Sequence, residues 1–301
     1  MNPDNILIVP KWTKYEWDQR KHVLSARELL RKYDKTGVDA SRILKSHERQ
    51  KKSLRLLKQW FAKARFVERG RLTRAMAATA DLVISLGGDN HFQFVSHFLK
   101  ETLVLGINSD PLTSEGSITT CTVGELGRNL KRLAADAFHI EEWVRIQVAL
   151  NGKPLQTLAV SDVFLGEMLR TQMSRHQLIF AGKREEQKCS GLVVATGAGS
   201  SGWFDAACRF VFPKGRRRPK AERSLQFLAT EPYSGRLSRL CCRSGVLRPG
   251  SKLVIRSLND SHGVIVLDSQ HFHPFREGSV AEIEIGTPLR VIVGWKDSSQ
   301  R

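Results

Sequence analysis

The chain has 301 residues, of which 41% are hydrophobic and 26% charged, with a formal net charge of +18. This length accommodates two domains with real cores, and this composition reads as that of a soluble, globular chain. The charge favours anionic partners such as nucleotides, polyphosphate or nucleic acid, although non-specific nucleic-acid binding at low salt follows from charge alone.

No apolar run approaches the roughly 20 residues needed to cross a bilayer as a helix. Met1-Asn-Pro-Asp-Asn5 lacks a basic n-region and a long apolar core, so no secretory signal is expected and the expected location is cytoplasmic. The five cysteines, Cys121, Cys189, Cys208, Cys241 and Cys242, show no C-x-x-C spacing and read as thiols in a reducing compartment.

In chain order, an apolar run predicts a strand over 6–9. Apolar positions at helical spacing predict helices over 17–33 and 41–64; in the second, Arg49, Lys51 and Lys58 are expected on a solvated face. A short helix over 71–80 leads into a strand over 82–86, which ends in Gly87-Gly88-Asp89. A helix over 90–100, a strand over 103–107 and a helix over 124–136 follow. Strands alternating with helices predict a layered parallel sheet. The pattern changes near Phe138. Val144 to Leu150 alternates with period two and runs into Asn151-Gly152, a strong hairpin signal. Later strands are predicted over 155–165, 177–180, 192–195, 225–229, 253–255, 264–267, 280–285 and 289–293, with one helix over 200–210. The domains are expected to be 1–137 and 138–301, the C-terminal segment packing back on the first.

Three segments carry candidate chemistry. Gly87 and Gly88 have no Cβ, so a ligand can lie close to the backbone, and successive N–H groups in such a turn can form an anion nest beside the carboxylate of Asp89. Twenty residues on, a polar loop after another short strand carries Asn108, Asp110, Ser114 and Glu115; ligands of open α/β sheets collect outside the carboxyl ends of strands. A turn nucleated by Asn, Asp and Pro explains the same loop without a ligand. The third segment, Thr196-Gly-Ala-Gly-Ser-Ser-Gly-Trp203, matches G-x-G-x-x-G at Gly197, Gly199 and Gly202, which makes a dinucleotide-binding oxidoreductase a rival. The usual acidic ribose ligand about twenty residues on is missing; the basic run 214–223 stands there instead. That run reads as a solvated loop or a nucleic-acid patch. His271 and His273 share a strand face but lack a third ligand nearby, so no metal site is assigned.

Together these pieces resemble the NAD kinase family, and most closely its mitochondrial-type branch, from Lys11-Trp-Thr-Lys-Tyr-Glu16 to about Gly278. Gly87-Gly88-Asp89 is similar to the family's Gly-Gly-Asp-Gly turn. Gly106-Ile-Asn-Ser-Asp-Pro with Ser114-Glu-Gly116, Val160-Ser-Asp-Val-Phe-Leu-Gly-Glu167, and Cys189-Ser-Gly-Leu with Thr196-Gly-Ala-Gly-Ser-Ser-Gly-Trp203 resemble three further family segments in the same order. The resemblance implies an NAD kinase-like fold: an α/β Rossmann-like N-terminal domain and a β-rich C-terminal domain. It implies transfer of a phosphoryl group from ATP or polyphosphate, with Mg²⁺, to the adenosine 2′-hydroxyl of NAD, giving NADP. By the same carry-over Asp89 is the catalytic residue. Gly87, Gly88, Asn90, Asn108, Ser114 and Glu115 fall on the donor phosphates. Ser161, Asp162, Thr196, Gly197, Gly199, Ser200 and Ser201 fall on NAD. A homodimer is implied as well.

Asn90 stands where the family has Gly, and tolerance of a positive φ would preserve the turn. His91 replaces Thr, Ser161-Asp162 replaces Asn-Glu, and Asp268-Ser269 replaces Asp-Gly. Lipid kinases of the diacylglycerol and sphingosine type, which share the Gly-Gly-Asp-Gly turn, are the alternative within this architecture; an inactive nucleotide-binding protein is another.

Overall fold

A computed structural model describes residues 5–169, 171–212, 215–235 and 240–296. The chain divides into two compact units, Met1–Ile140 with Arg290–Arg301, and Glu141–Leu289.

The first unit is built on a parallel sheet. Ile6–Pro10 lies between Arg65–Phe66 and Leu82–Gly87, and Leu103–Asn108 follows Leu82–Gly87, all in parallel register. Cys121–Thr122 and Val291 pair in parallel with Leu103–Asn108. Leu82–Gly87 and Leu103–Asn108 are buried along their whole length, as expected of strands covered on both faces. Ile8, Leu57, Ile84, Leu105 and Leu126 belong to one core that joins sheet and helices.

The helix expected over 17–33 is two helices, Lys14–His22 and Ala26–Thr36, because Val23 takes a left-handed conformation and Ser25 starts a new helix by a capping box with Glu28. Thr13 with Glu16, and Thr122 with Glu125, form the same reciprocal cap. The helix expected over 124–136 breaks at Asn129 into Val123–Arg128 and Leu130–Ala134. The cationic face of helix Ala40–Trp60 is not merely solvated: Arg49 forks onto Asp110, with Nε at 2.7 Å and Nη2 at 3.0 Å, and Lys51 pairs with Glu16 at 2.9 Å.

The second unit is antiparallel. Six strands run in the order Ser244–Leu247, Leu225–Thr230, Gly191–Ala195, Asp162–Glu167, Gly263–Leu267 and His271–Pro274. A further group orders Lys183–Cys189, Ser174–Phe180, Leu253–Ser257 and residues 280–283. Leu165, Val194, Phe227, Leu178, Ile255 and Ile283 from the two groups share one core. Asn151 and Gly152 both have positive φ, 51° and 75°, and close the predicted hairpin with Leu150 opposite Lys153.

Residues 155–161 are not strand; only an isolated bridge joins Ala159 to Ile146. Lys183–Cys189 escapes the apolar pattern because it is an outer strand rich in charge, KREEQKC. Gly191, at φ 146°, is constrained twice, since a Cβ there would lie 2.1 Å from the Phe164 ring. Gly191→Ala is expected to cost about 1–3 kcal/mol of stability, read from the urea unfolding midpoint; an unchanged midpoint would contradict this packing.

Candidate active site

The Gly-Gly-Asp turn closes the central parallel strand of the first unit. Gly87 ends strand Leu82–Gly87, Gly88 is the N-cap of helix Asp89–Ser96, and Asp89 is its first residue. The positive end of the helix dipole therefore lies at the strand's carboxyl end, where anions are favoured. Both glycines answer to packing within the protein. A Cβ on Gly87 would sit 2.7 Å from the His91 side chain, and one on Gly88 would sit 2.8 Å from Ser114 Oγ. Asn90 is exposed, lies inside the helix and has no positive φ, so the conformational reason for a glycine at this position is absent.

The half-buried Asp89 accepts two backbone hydrogen bonds, from Ser117 N–H to Oδ2 and from Ile118 N–H to Oδ1, both at 2.9 Å. It thereby ties the turn to the loop after Asn108. That loop is braced internally: Asn108 Nδ2 donates to Ser114 O at 2.9 Å, and Asp110 N–H donates to Asn108 Oδ1 at 3.0 Å. Ser109 N–H donates to Gly87 O at 2.9 Å. The structure thus gathers Gly87, Gly88, Asp89, Asn108 and Ser114; Glu115 is exposed on the loop. Asp110 faces away from this group and is held by Arg49, Ser46 and Thr113. Beneath the turn, the fully buried His91 shares a 2.8 Å hydrogen bond with Val9 O, and burial drives its pKa down to about 3, so the imidazole is neutral.

Beside this turn, a cleft of about 300 Å³ opens at the carboxyl ends of the parallel strands, lined by Pro10, Phe66, Leu86 and Ser109. It lies where the strand order reverses, Ile6–Pro10 being flanked by Arg65–Phe66 on one side and Leu82–Gly87 on the other, the position at which ligands of doubly wound sheets bind. Lys11, Arg20, Lys51 and Lys58 bring positive charge to it. Arg20 pairs with Glu68 at 3.7 Å and Lys51 with Glu16. Among the described residues Lys11 and Lys58 have no carboxylate partner; burial lowers the Lys11 pKa, with Asp110 opposing from a distance. The segment Lys11-Trp-Thr-Lys-Tyr-Glu16, where the family resemblance begins, supplies Lys11, Trp12, Thr13 and Glu16 to this cleft, and Gln50, Leu54 and Lys58 share one helical face that completes it.

In the second unit, Ser161, Asp162, Thr196, Gly197, Gly199 and Ser200 come together. Asp268 accepts the N–H groups of Val160, Ser161 and Asp162 at 2.9–3.0 Å. Asp268 and Ser269, at φ 48° and 57°, form the left-handed pair of the turn between Gly263–Leu267 and His271–Pro274, a conformation that glycine adopts without strain. Thr196 Oγ1 donates to Val160 O at 2.6 Å and accepts Gly199 N–H at 3.1 Å. Gly199 approaches Ser161 O so closely that a Cβ would lie 2.1 Å away, and Gly197 does the same to Pro219 O at 2.0 Å. Ser200 Oγ donates to Gly197 O and accepts Arg218 N–H; Ser201 follows in the same 3₁₀ turn.

The G-x-G-x-x-G match is therefore not a Rossmann turn, because Gly191–Ala195 is antiparallel to both its neighbours. Within the basic run, Arg217 pairs with Asp205 at 3.0 Å and Arg218 with Glu222 at 2.7 Å, while Lys214 lies outside the described residues. His271 and His273 occupy a strand, but among the described residues no group of three His, Cys, Asp or Glu side chains could hold a metal.

No family model matches the chain. It is 29% identical to the probable NADH kinase of Oryza sativa subsp. japonica, over 71% of this chain and 70% of that protein. It is 26% identical to the mitochondrial NAD kinase 2 of Rattus norvegicus over 67% of this chain, spanning 59% of the rat protein. Its structure is similar to that of an NAD kinase from Archaeoglobus fulgidus solved with ATP, at TM-score 0.64 and 18% identity, covering 95% of this chain and 92% of that one. It is also similar to yeast NADH kinase solved with NADH, at TM-score 0.62 and 15% identity, over 79% and 67%. At these identities the structural likeness is one of fold, and the fold is that of NAD and NADH kinases. The sequence relatives are kinases of NAD or NADH as well, so likeness in sequence and likeness in fold point to the same family, the NAD kinases.

Asp162 is 9% exposed, and burial, with Asp268 next to it, raises its pKa to about 7, while the Ser161 hydroxyl pulls the other way. A carboxyl whose pKa is raised on folding favours the folded state most at low pH, and that contribution is lost as pH rises from the ordinary value of 3.8 toward 7. The melting temperature of Asp162→Asn is therefore expected to climb relative to wild type as pH rises from 4 to 8. A difference that stays constant across that range would contradict a raised pKa.

Proposed function

We propose that the chain is an NAD kinase that transfers the terminal phosphoryl group of ATP to the adenosine 2′-hydroxyl of NAD. Asp89 accepts the hydroxyl proton as the oxygen–phosphorus bond forms. The bond from the terminal phosphorus to the bridging oxygen breaks, and ADP leaves. Support comes above all from one observation: the Asp89 carboxylate stands at the N-terminus of the helix that follows the central parallel strand, where the donor's negative charge is favoured. Gly87, Gly88, Asn90, Asn108, Ser114 and Glu115 are assigned to the donor side. Ser161, Asp162, Thr196, Gly197, Gly199, Ser200 and Ser201 are assigned to NAD. The names of the relatives support the same reaction and do not favour the lipid-kinase alternative.

Mg²⁺ enters this reading as part of the donor. The described residues offer no three-ligand cage, and Mg²⁺ commonly arrives on phosphates with most of its shell as water. A dimer and a cytoplasmic location belong to the proposal too. No helix among the described residues is long and apolar enough to cross a membrane, while the rat relative carries a mitochondrial name.

Purified protein given ATP, Mg²⁺ and NAD is expected to form NADP, detected with an NADP-specific dehydrogenase. Asp89→Asn is expected to lower kcat by about 10²–10⁴-fold, the usual span for a lost general base, while NAD still binds. NAD binding by the wild type without any NADP would contradict the kinase reading.

A further inference from the structure

The corner between the first two helices exposes an apolar side chain on a strained backbone. Val23 closes helix Lys14–His22 at φ 52°, in the left-handed region, and is 89% exposed. Glycine or asparagine commonly fills that place, and a β-branched residue is strained there. The next helix shows the ordinary solution: Gly37 closes Ala26–Thr36 at φ 67°. A valine held in a strained conformation and in water does nothing for the fold, so its use lies outside it.

Cations surround this tip. Arg20 and Lys21 precede Val23, and Arg27, Arg31 and Lys35 lie on the exposed side of helix Ala26–Thr36, opposite the buried Leu29 and Tyr33. Leu30 is exposed among them, and Val38 is exposed just beyond the helix. Residues 14–60 carry 14 Lys and Arg but only six Asp and Glu. Four of those six acids are committed within the fold. Glu16 holds the Thr13 amide and Lys51, Asp18 holds Lys14 and Tyr33, Glu28 caps at Ser25, and Asp39 takes the Arg42 amide. Asp34 is the one acid beside Arg27, Arg31 and Lys35 that no cap or ion pair engages, and among the described residues these three cations have no carboxylate partner. Arg20 shares Glu68 at 3.7 Å.

Positive charge and apolar groups exposed together fit a partner that is anionic outside and apolar beneath. A nucleic-acid backbone would answer the cations and leave Val23, Leu30 and Val38 in water. An anionic bilayer answers both: its head groups attract Lys and Arg, and apolar side chains enter the boundary with the acyl chains.

We propose that the corner at Val23 and the exposed side of helix Ala26–Thr36 dock on an anionic phospholipid bilayer, with Val23 inserted and Arg27, Arg31 and Lys35 on the head groups. The contact is peripheral, since a helix of 11 residues is about 16 Å long and its other side is buried in the protein. It is independent of the reaction assigned above.

Co-sedimentation of the full chain is measured with vesicles of phosphatidylcholine alone and of phosphatidylcholine and phosphatidylserine in equal parts. Wild type, Val23→Gly and the double variant Arg27→Gln with Arg31→Gln are compared, and the urea unfolding midpoint of each is read alongside. The wild type is expected to bind the mixed vesicles about tenfold or more tightly than the neutral ones, and the double variant to lose about tenfold in that affinity. Val23→Gly is expected to raise the midpoint, because glycine adopts the left-handed conformation without strain, and yet to weaken vesicle binding about threefold or more. A residue that serves the fold alone would not move the two in opposite directions. No binding to mixed vesicles, equal binding to both compositions, or an unchanged vesicle affinity in Val23→Gly overturns the proposal. A lowered midpoint together with weakened binding makes Val23 structural and overturns its insertion. An RNA oligonucleotide whose affinity falls in the double variant while vesicle affinity does not assigns the cations to nucleic acid and overturns the membrane contact.

Discussion

The carboxylate of Asp89 accepts the amides of Ser117 and Ile118, and the form of the loops at the carboxyl ends of the first unit's parallel strands depends on that clamp. Hydrogen bonds to a charged acceptor contribute about 1.5–3 kcal/mol each, more than neutral ones. The strand ending at Gly87 and the strand ending at Asn108 are parallel neighbours, so the ladder alone brings their ends together. The ladder does not fix the loop beyond. Asp89 does so from one side and Asn108 from within, through its bonds to Ser114 O and Asp110 N–H. In the proposed reaction, a carboxylate already engaged by two amides keeps lone pairs for a hydroxyl proton and is held in place before substrate arrives.

The second unit uses the same device. Asp268 gathers three consecutive amides at 160–162, and the left-handed turn that carries Asp268 sets its direction. Burial, with that carboxylate next to it, leaves Asp162 holding a proton as the pH approaches neutrality. The acid of the Ser161-Asp162 pair therefore lies against a second carboxylate, and its charge is sensitive to pH near neutrality.

Much of this was legible in the sequence. Apolar runs that end in glycine gave the parallel strands, and the Asn-Gly turn marked the start of the antiparallel half. The order of the motifs pointed to the family. Edge strands such as Lys183–Cys189 were hidden because an edge exposed to water is rich in charge. Capping boxes at Thr13, Ser25 and Thr122 were present in the sequence as S/T-x-x-E, and the one at Ser25 would have divided the long first helix. The glycines were legible as close approaches, but not what approaches them: His91, Ser114, Ser161 and Pro219 belong to the protein itself. The cationic cleft was legible only at Lys11, where the resemblance begins, because Gln50 and Ser109 meet it only through the fold. Arg49 likewise reads as a surface charge in the sequence, because its partner Asp110 lies 61 residues away.

The central claim is that one half-buried acid, anchored by the loop after the neighbouring strand, receives the proton of the accepting hydroxyl. A crystal structure of the protein with an unreactive ATP analogue and NAD tests it most directly. The account predicts an Asp89 carboxylate oxygen within about 2.6–3.2 Å of the adenosine 2′-hydroxyl, with the Ser117 and Ile118 amides still bound. A ternary complex in which that hydroxyl meets a different acid or base, while Asp89 touches only the loop, would contradict it.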